Sequence, residues 1–163
     1  MILSEKGEVL IKHFESCKLE AYQDTAGKWT IGYGNTFYEN GKAVKQGDKI
    51  AKWRADDLFK RIMQRFVNDV NFLTKGVLLK QNQFDALVSF AYNAGPDIDA
   101  DKIPEGLGDS TLLKLVLNNP ENPDISNEFL KWNKSGGKVT NGLIRRRRAE
   151  AHLYTTGELK FTF

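Results

Sequence analysis

Glu15, Asp24 and Thr30 are the residues whose types and spacing best suit bond-breaking chemistry in this 163-residue chain. Glu15 stands at the end of an apolar helical stretch, where partial burial favours a protonated carboxyl that can donate its proton. Asp24 lies beyond eight intervening residues, and Thr30 beyond five more. Glycoside hydrolysis commonly needs two carboxyl groups: one protonates the leaving oxygen, and the other activates water or attacks the sugar. A hydroxyl beside the second acid would help to hold that water. Spacing alone leaves a plainer reading open, in which these are a solvated glutamate, a turn aspartate and a strand threonine.

The elements that must position them follow from periodicity and punctuation. Ser4 can cap a first helix carrying Val9, Leu10, His13 and Phe14, ending near Glu15 to Lys18. Gly7 stands where a complete capping box would want Glu or Gln. From Leu19 to Val44, Tyr22, Trp29, Ile31, Tyr33, Phe37 and Tyr38 are punctuated by Gly27, Gly34 and Asn40-Gly41, which predicts a small antiparallel sheet with tight turns. Ile50, Trp53, Leu58, Ile62, Phe66, Val70 and Leu73 then form a helical stripe over about 50–75. Further helices are expected near 80–94 (stopped by Gly95-Pro96), 110–118, 124–132 and 141–155, with a Gly136-Gly137 loop before the last. The fold class is therefore α+β. A small sheet-bearing lobe of about 15–50 is followed by a helical lobe of about 51–163 that also takes in the first helix, all within one catalytic domain spanning 1–163.

Bulk properties bound the function. With 24 basic against 21 acidic residues the net charge is +3, mild enough to favour an anionic polymer without demanding nucleic acid. Cys17 is the single cysteine, so no intramolecular disulfide forms, in keeping with a reducing compartment. His13 and His152 are too few for a zinc site. The first residues lack a signal-peptide pattern, and no stretch has the length and apolarity of a membrane span.

The segment FESCKLEAYQDTAGKWTIGYGNT resembles the signature of the glycoside hydrolase family 24 lysozymes, the phage-type lysozymes that include the T-even and lambdoid endolysins. Glu15, Asp24 and Thr30 meet that family's spacing in full. Downstream, QNQFDALVSFAYNAG at 81–95, STLL at 110–113, EFLKW at 128–132 and GLIRRRRAEAHLY at 142–154 match later landmarks in order. The resemblance implies a lysozyme-like fold with two lobes joined by a long helix. It also implies hydrolysis of the β-1,4 bond between N-acetylmuramic acid and N-acetylglucosamine in bacterial peptidoglycan. Glu15 would be the general acid; Asp24 and Thr30 would hold the attacking water in an inverting mechanism. Asn35, Thr36, Tyr92, Asn93 and Ser110 would face substrate, and Arg145 would pair with the catalytic acid. No cofactor and no metal are implied. Neither nucleic-acid binding nor membrane insertion is expected, and the chain would be a monomer. It would collect in the host cytoplasm and reach the periplasmic wall through a separate holin. Two departures bear on the subsites: a longer, acidic stretch between Gly95 and Ser110, and Asn35 where some relatives carry histidine.

Arg145 to Arg148 could suggest nucleic acid, but four consecutive helical residues sweep roughly 300° and cannot share one face. At least one should point inward and need a carboxylate partner. Arg145 is expected to matter more than its neighbours, for stability as well as activity. Asp97-Ile98-Asp99-Ala100-Asp101 opens like a calcium loop, but Lys102 and Gly108 occupy the positions that want Gly and Glu, so a solvated loop is favoured. Trp53 and Trp132 are expected in the core. A lytic transglycosylase would need Glu15 but no water-activating acid, and a wall-binding module would need neither.

Overall fold

The computed structural model describes residues 1–24, 27–99 and 105–163. Six helices and four short strands appear among them: α1 (Glu5–Phe14), β1 (Lys18–Gln23), β2 (Trp29–Gly32), α2 (Lys52–Leu73), α3 (Gln81–Ala94), α4 (Thr111–Asn118), α5 (Ile125–Lys131), β3 (Lys134–Ser135), β4 (Lys138–Val139) and α6 (Asn141–Thr156). They group into two compact units, one of residues 11–65 and one of residues 1–10 with 66–163, so α1 and α2 each contribute to both. No helix among the described residues is long and apolar enough to cross a membrane.

In the 11–65 unit, β1 and β2 pair antiparallel, with Tyr22 opposite Thr30 and Gln23 opposite Trp29. Beyond this ribbon, among the described residues, only isolated bridges occur, Glu20 with Lys49, Ile31 with Asn35 and Phe37 with Ala43. The expected sheet over 19–44 is thus much narrower. The cause is local: Gly32 adopts φ +65°, and Ile31 and Asn35 exchange both backbone hydrogen bonds, so the chain turns back before a third strand can run. Ile31, Tyr33, Val44, Ala55, Leu58, Phe59 and Met63 are buried. Trp53 is not; it is 69% exposed, a correction to the helical-stripe reading. Helix α2 already fills its inward positions with Ala55, Leu58 and Phe59, and Trp53 falls outside that arc.

The larger unit centres on α3, where every residue from Gln83 to Ala91 is buried. Phe90 meets Phe129 of α5 and the half-buried Trp132 edge-on, at centroid distances of 5.6 and 5.3 Å. Because α3 is enclosed on all sides, its polar residues need partners. Asp85 accepts from the backbone and hydroxyl of Ser4, Gln83 donates to the Pro120 carbonyl and to Glu121, and Ser89 donates to Glu150. Ser4 caps α1 by accepting from the Gly7 N–H. The Gly136-Gly137 loop is a tight hairpin turn: Lys134 faces Val139 and Ser135 faces Lys138, with both glycines at positive φ.

One ionic cluster organises the smaller unit. Asp56 receives Lys12 Nζ at 3.0 Å and Lys52 Nζ at 2.9 Å, and Lys52 also donates to the Tyr33 hydroxyl at 2.7 Å. The Lys52 hydrogen bond, more than any other influence, holds the Asp56 carboxyl down at about 2. Asp56→Asn should cost about 1 kcal/mol near neutral pH, the full effect of such a shift being discounted for partial solvent exposure. The folded pKa lies below the unfolded one, so this contribution is present above roughly pH 4 and is lost as pH falls toward about 2. Thermal melts of variant and parent should separate near pH 6 and converge at the acid end. A gap independent of pH would mean that packing, not charge, carries the cluster.

Candidate active site

Each candidate catalytic residue stands at or near the end of an element. Glu15 follows the last residue of α1 and is half-buried. Asp24 follows the last residue of β1 and is also half-buried. Thr30 lies within β2 and is buried. The backbone of Lys28 ties the last two together. Its N–H donates to Asp24 Oδ1 at 2.8 Å, and its carbonyl accepts from Thr30 Oγ1 at 3.1 Å. A carbonyl can only accept, so the Thr30 hydroxyl spends its hydrogen there and keeps lone pairs for accepting from a water. Asp24 is further braced by backbone bonds to Lys28 and Gly27.

Tyr22 is the residue that sequence reasoning missed here, having been read only as a strand aromatic. Burial raises its phenol first, and the negative charges of Glu15 and Asp24 raise it further. Both carboxyl groups therefore act electrostatically on one hydroxyl. Tyr22 also lies opposite Thr30 in the ribbon register. A signal was available in the sequence: Tyr22 is two residues before Asp24, which on an extended strand places the two on the same face.

Asn35 is 1% exposed, and among the described residues its Oδ1 has no hydrogen-bond partner; Thr36 beside it is half-buried. In the larger unit, Tyr92 is half-buried against Phe66, with centroids 5.2 Å apart, and Asn93 is exposed near the end of α3. Ser110 requires a correction. It is buried, donates to the Leu107 carbonyl at 2.6 Å and accepts from the Leu113 N–H at 3.0 Å. Its hydroxyl is committed to capping α4 and offers nothing to a substrate.

The arginine run divides by burial. Arg145 and Arg148 are exposed, while Arg146 and Arg147 are buried. Two members turn inward where at least one was expected, and the carboxylate they meet is Glu150 on the same helix, at 3.1 and 3.0 Å. The structural weight of the run therefore falls on Arg146 and Arg147, contrary to the expectation for Arg145.

In the acidic stretch, Asp97, Asp99 and Asp109 each bring a carboxylate oxygen within 4.8 Å of the others. Asp97 Oδ2 already accepts from the N–H groups of Glu105, Gly106 and Asp109, so it pins the loop. Gly108 is obligatory there, since a Cβ would lie 1.5 Å from the Asp97 carbonyl oxygen. Ala100, Asp101 and Lys102 of the calcium-loop reading lie outside the described residues.

A family profile described as Phage lysozyme matches residues 12–150. The chain is 44% identical over 162 residues to the endolysin of Bacillus phage B103, covering 98% of this chain and 56% of that protein, so it spans little more than half the relative's length. Among solved structures, the endolysin from Escherichia coli O157:H7 phage FAHEc1 aligns with a TM-score of 0.84 at 38% identity, covering 98% of this chain and 97% of the other. The muramidase domain of SpmX from Asticaccaulis excentricus aligns with a TM-score of 0.78 at 32% identity, over 94% and 97% of the two chains.

The capping role of Ser110 is open to direct test. Ser110→Ala should lower stability by about 1–2 kcal/mol, from loss of the cap and of one buried hydrogen bond. Turnover per folded molecule should stay at the parent level. A raised KM with an unchanged melting curve would return Ser110 to the substrate.

Proposed function

Because the chain belongs to the phage lysozyme family, we propose that it acts as an endolysin, hydrolysing the β-1,4 bond between N-acetylmuramic acid and N-acetylglucosamine in peptidoglycan. The observation that carries this reading is the Lys28 backbone, which holds Asp24 through its N–H and Thr30 through its carbonyl. It fixes a base and a hydrogen-bond acceptor in one place, as the delivery of a water requires.

In this reading Glu15 protonates the departing glycosidic oxygen. Asp24 takes a proton from the attacking water, and Thr30 Oγ1 accepts the water's other hydrogen. Water enters on the face opposite the leaving group, so configuration inverts, a course suited to carboxyl groups roughly 6.5–9.5 Å apart. Asn35, Thr36, Tyr92 and Asn93 are assigned to the glycan. The chain works as a monomer without a cofactor, and binds neither nucleic acid nor lipid bilayer. It reaches the periplasmic wall from the host cytoplasm through a separate holin and so lyses the host cell.

Glu15→Gln should reduce lysis of purified walls by a factor of about 10² to 10⁴ or more while melting as the parent does. Proton NMR of the first product, recorded before mutarotation, should show the α-anomer at the new reducing end. A β-anomer would make Asp24 a nucleophile, and a 1,6-anhydro product would remove hydrolysis altogether.

Arg145 is proposed to support the acid, on the resemblance and on its place outside the Glu150 pair. Arg145→Ala should lower turnover on purified walls with little loss of stability, and Arg148→Ala should leave both at the parent level. Arg146→Ala and Arg147→Ala should each cost about 3–5 kcal/mol, because a buried carboxylate loses a partner. If turnover per folded molecule falls in Arg146→Ala and stays at the parent level in Arg145→Ala, the supporting arginine is one place further along α6.

A further inference from the structure

Asn93 sits near the end of α3 with its side chain exposed, and its Oδ1 accepts from Arg147 Nη2 at 2.5 Å. A guanidinium carries donors only, so the amide oxygen must be the atom that faces it. The Nδ2 group is thereby turned the other way, and among the described residues no acceptor meets it. Left to itself, an exposed asparagine would sample both amide orientations and offer a donor or an acceptor at will.

What fixes the orientation is itself fixed. Arg147 is 1% exposed, and its guanidinium lies over the Phe90 ring, 4.8 Å from the centroid. It is paired with Glu150: Nε lies 3.0 Å from Oε2 as an ion pair without hydrogen-bond geometry, and Nη2 donates to Oε1 at 3.4 Å. Glu150 is held in turn by the Ser89 hydroxyl at 2.7 Å and by Arg146 Nε at 3.1 Å. A chain of buried polar groups thus runs from the interface of α3 and α6 to one surface amide.

We propose that Arg147 is a positioning residue: clamped by Glu150, it locks the Asn93 carboxamide so that Nδ2 is presented as a hydrogen-bond donor to the glycan. The matching acceptor is the carbonyl oxygen of an N-acetyl group, the strongest neutral acceptor that such a polymer carries. This rests on the reading of the chain as a peptidoglycan hydrolase.

Asn93→Asp is the decisive variant. It keeps an oxygen for Arg147, and so preserves the buried chain, but removes the outward donor. On soluble peptidoglycan fragments it should raise KM about tenfold, the value of one lost hydrogen bond. kcat should be nearly unchanged and the melting temperature no lower than the parent's. Asn93→Ala should raise KM by a similar factor. Arg147→Met should raise KM in the parent background and add nothing further in the Asn93→Ala background. A parent-like KM in Asn93→Asp overturns the donor assignment. An equal effect of Arg147→Met in both backgrounds overturns the positioning role and leaves a structural one. Should Arg147→Met lack a cooperative melt, Asn93→Asp against Asn93→Ala decides alone. A parent protein that melts cooperatively yet releases no fragment from peptidoglycan would instead sink the hydrolase reading itself.

Discussion

Glu150 has no exposed surface, yet it lies on α6 between two arginines that are themselves buried. Removing a carboxylate from water costs several kcal/mol, which only close countercharges and good hydrogen bonds offset. Here the offset comes from Arg146, Arg147 and the Ser89 hydroxyl, and the last of these belongs to α3. The same pattern recurs around α3. Asp85 ties it to the cap of α1, Gln83 ties it to the turn between α4 and α5, and Ser89 ties it to α6. A helix buried from Gln83 to Ala91 cannot carry three polar side chains unless each has a partner. Apolar packing alone would hold these helices together; the polar ties fix their registers. Burial pulls Arg147 below the usual arginine value. It stays charged nonetheless, because arginine starts so far above neutral pH.

The helical unit was legible in the sequence to the extent that its signals were local. The Gly95-Pro96 stop, the helical pattern near 110–118 and the pattern at 141–155 each rest on a few adjacent residues, and α3, α4 and α6 begin and end close to those marks. Glu15, Asp24 and Thr30 stood out by spacing only once a family resemblance was admitted. What was not legible depended on which face of a helix turned inward. Trp53 fitted an apolar stripe, but its helix had enough smaller residues to fill the core without it. The arginine run showed that some member must be buried, yet helical geometry alone does not say which. The answer lay in Glu150, three and four residues on from Arg147 and Arg146, a spacing that brings helical side chains together. A resemblance points Ser110 toward substrate, whereas its place before an apolar helix makes it an N-cap, and the cap is what forms.

The smaller unit faces a different constraint. A two-stranded ribbon is marginal by itself, and this one carries Asp24 and Thr30. Its support comes from the first half of α2, which contributes Ala55, Leu58 and Phe59 to the buried set while Ile31 and Tyr33 come from the ribbon and its turn. Tyr33 meets Phe59 edge-on at 5.2 Å, and the cluster at Asp56 secures the Tyr33 hydroxyl through Lys52. Adjacent strand residues point to opposite faces, yet Thr30 and Ile31 are both buried. Ile31 therefore acts as the register pin for Thr30. A slip of one residue would turn the Ile31 side chain out of its site and carry the Thr30 hydroxyl away from the Lys28 carbonyl. It would also break the pairing of Gln23 with Trp29 that closes the turn holding Asp24. The alignment of Asp24 and Thr30 is thus set less by the two residues themselves than by a fully buried isoleucine beside them.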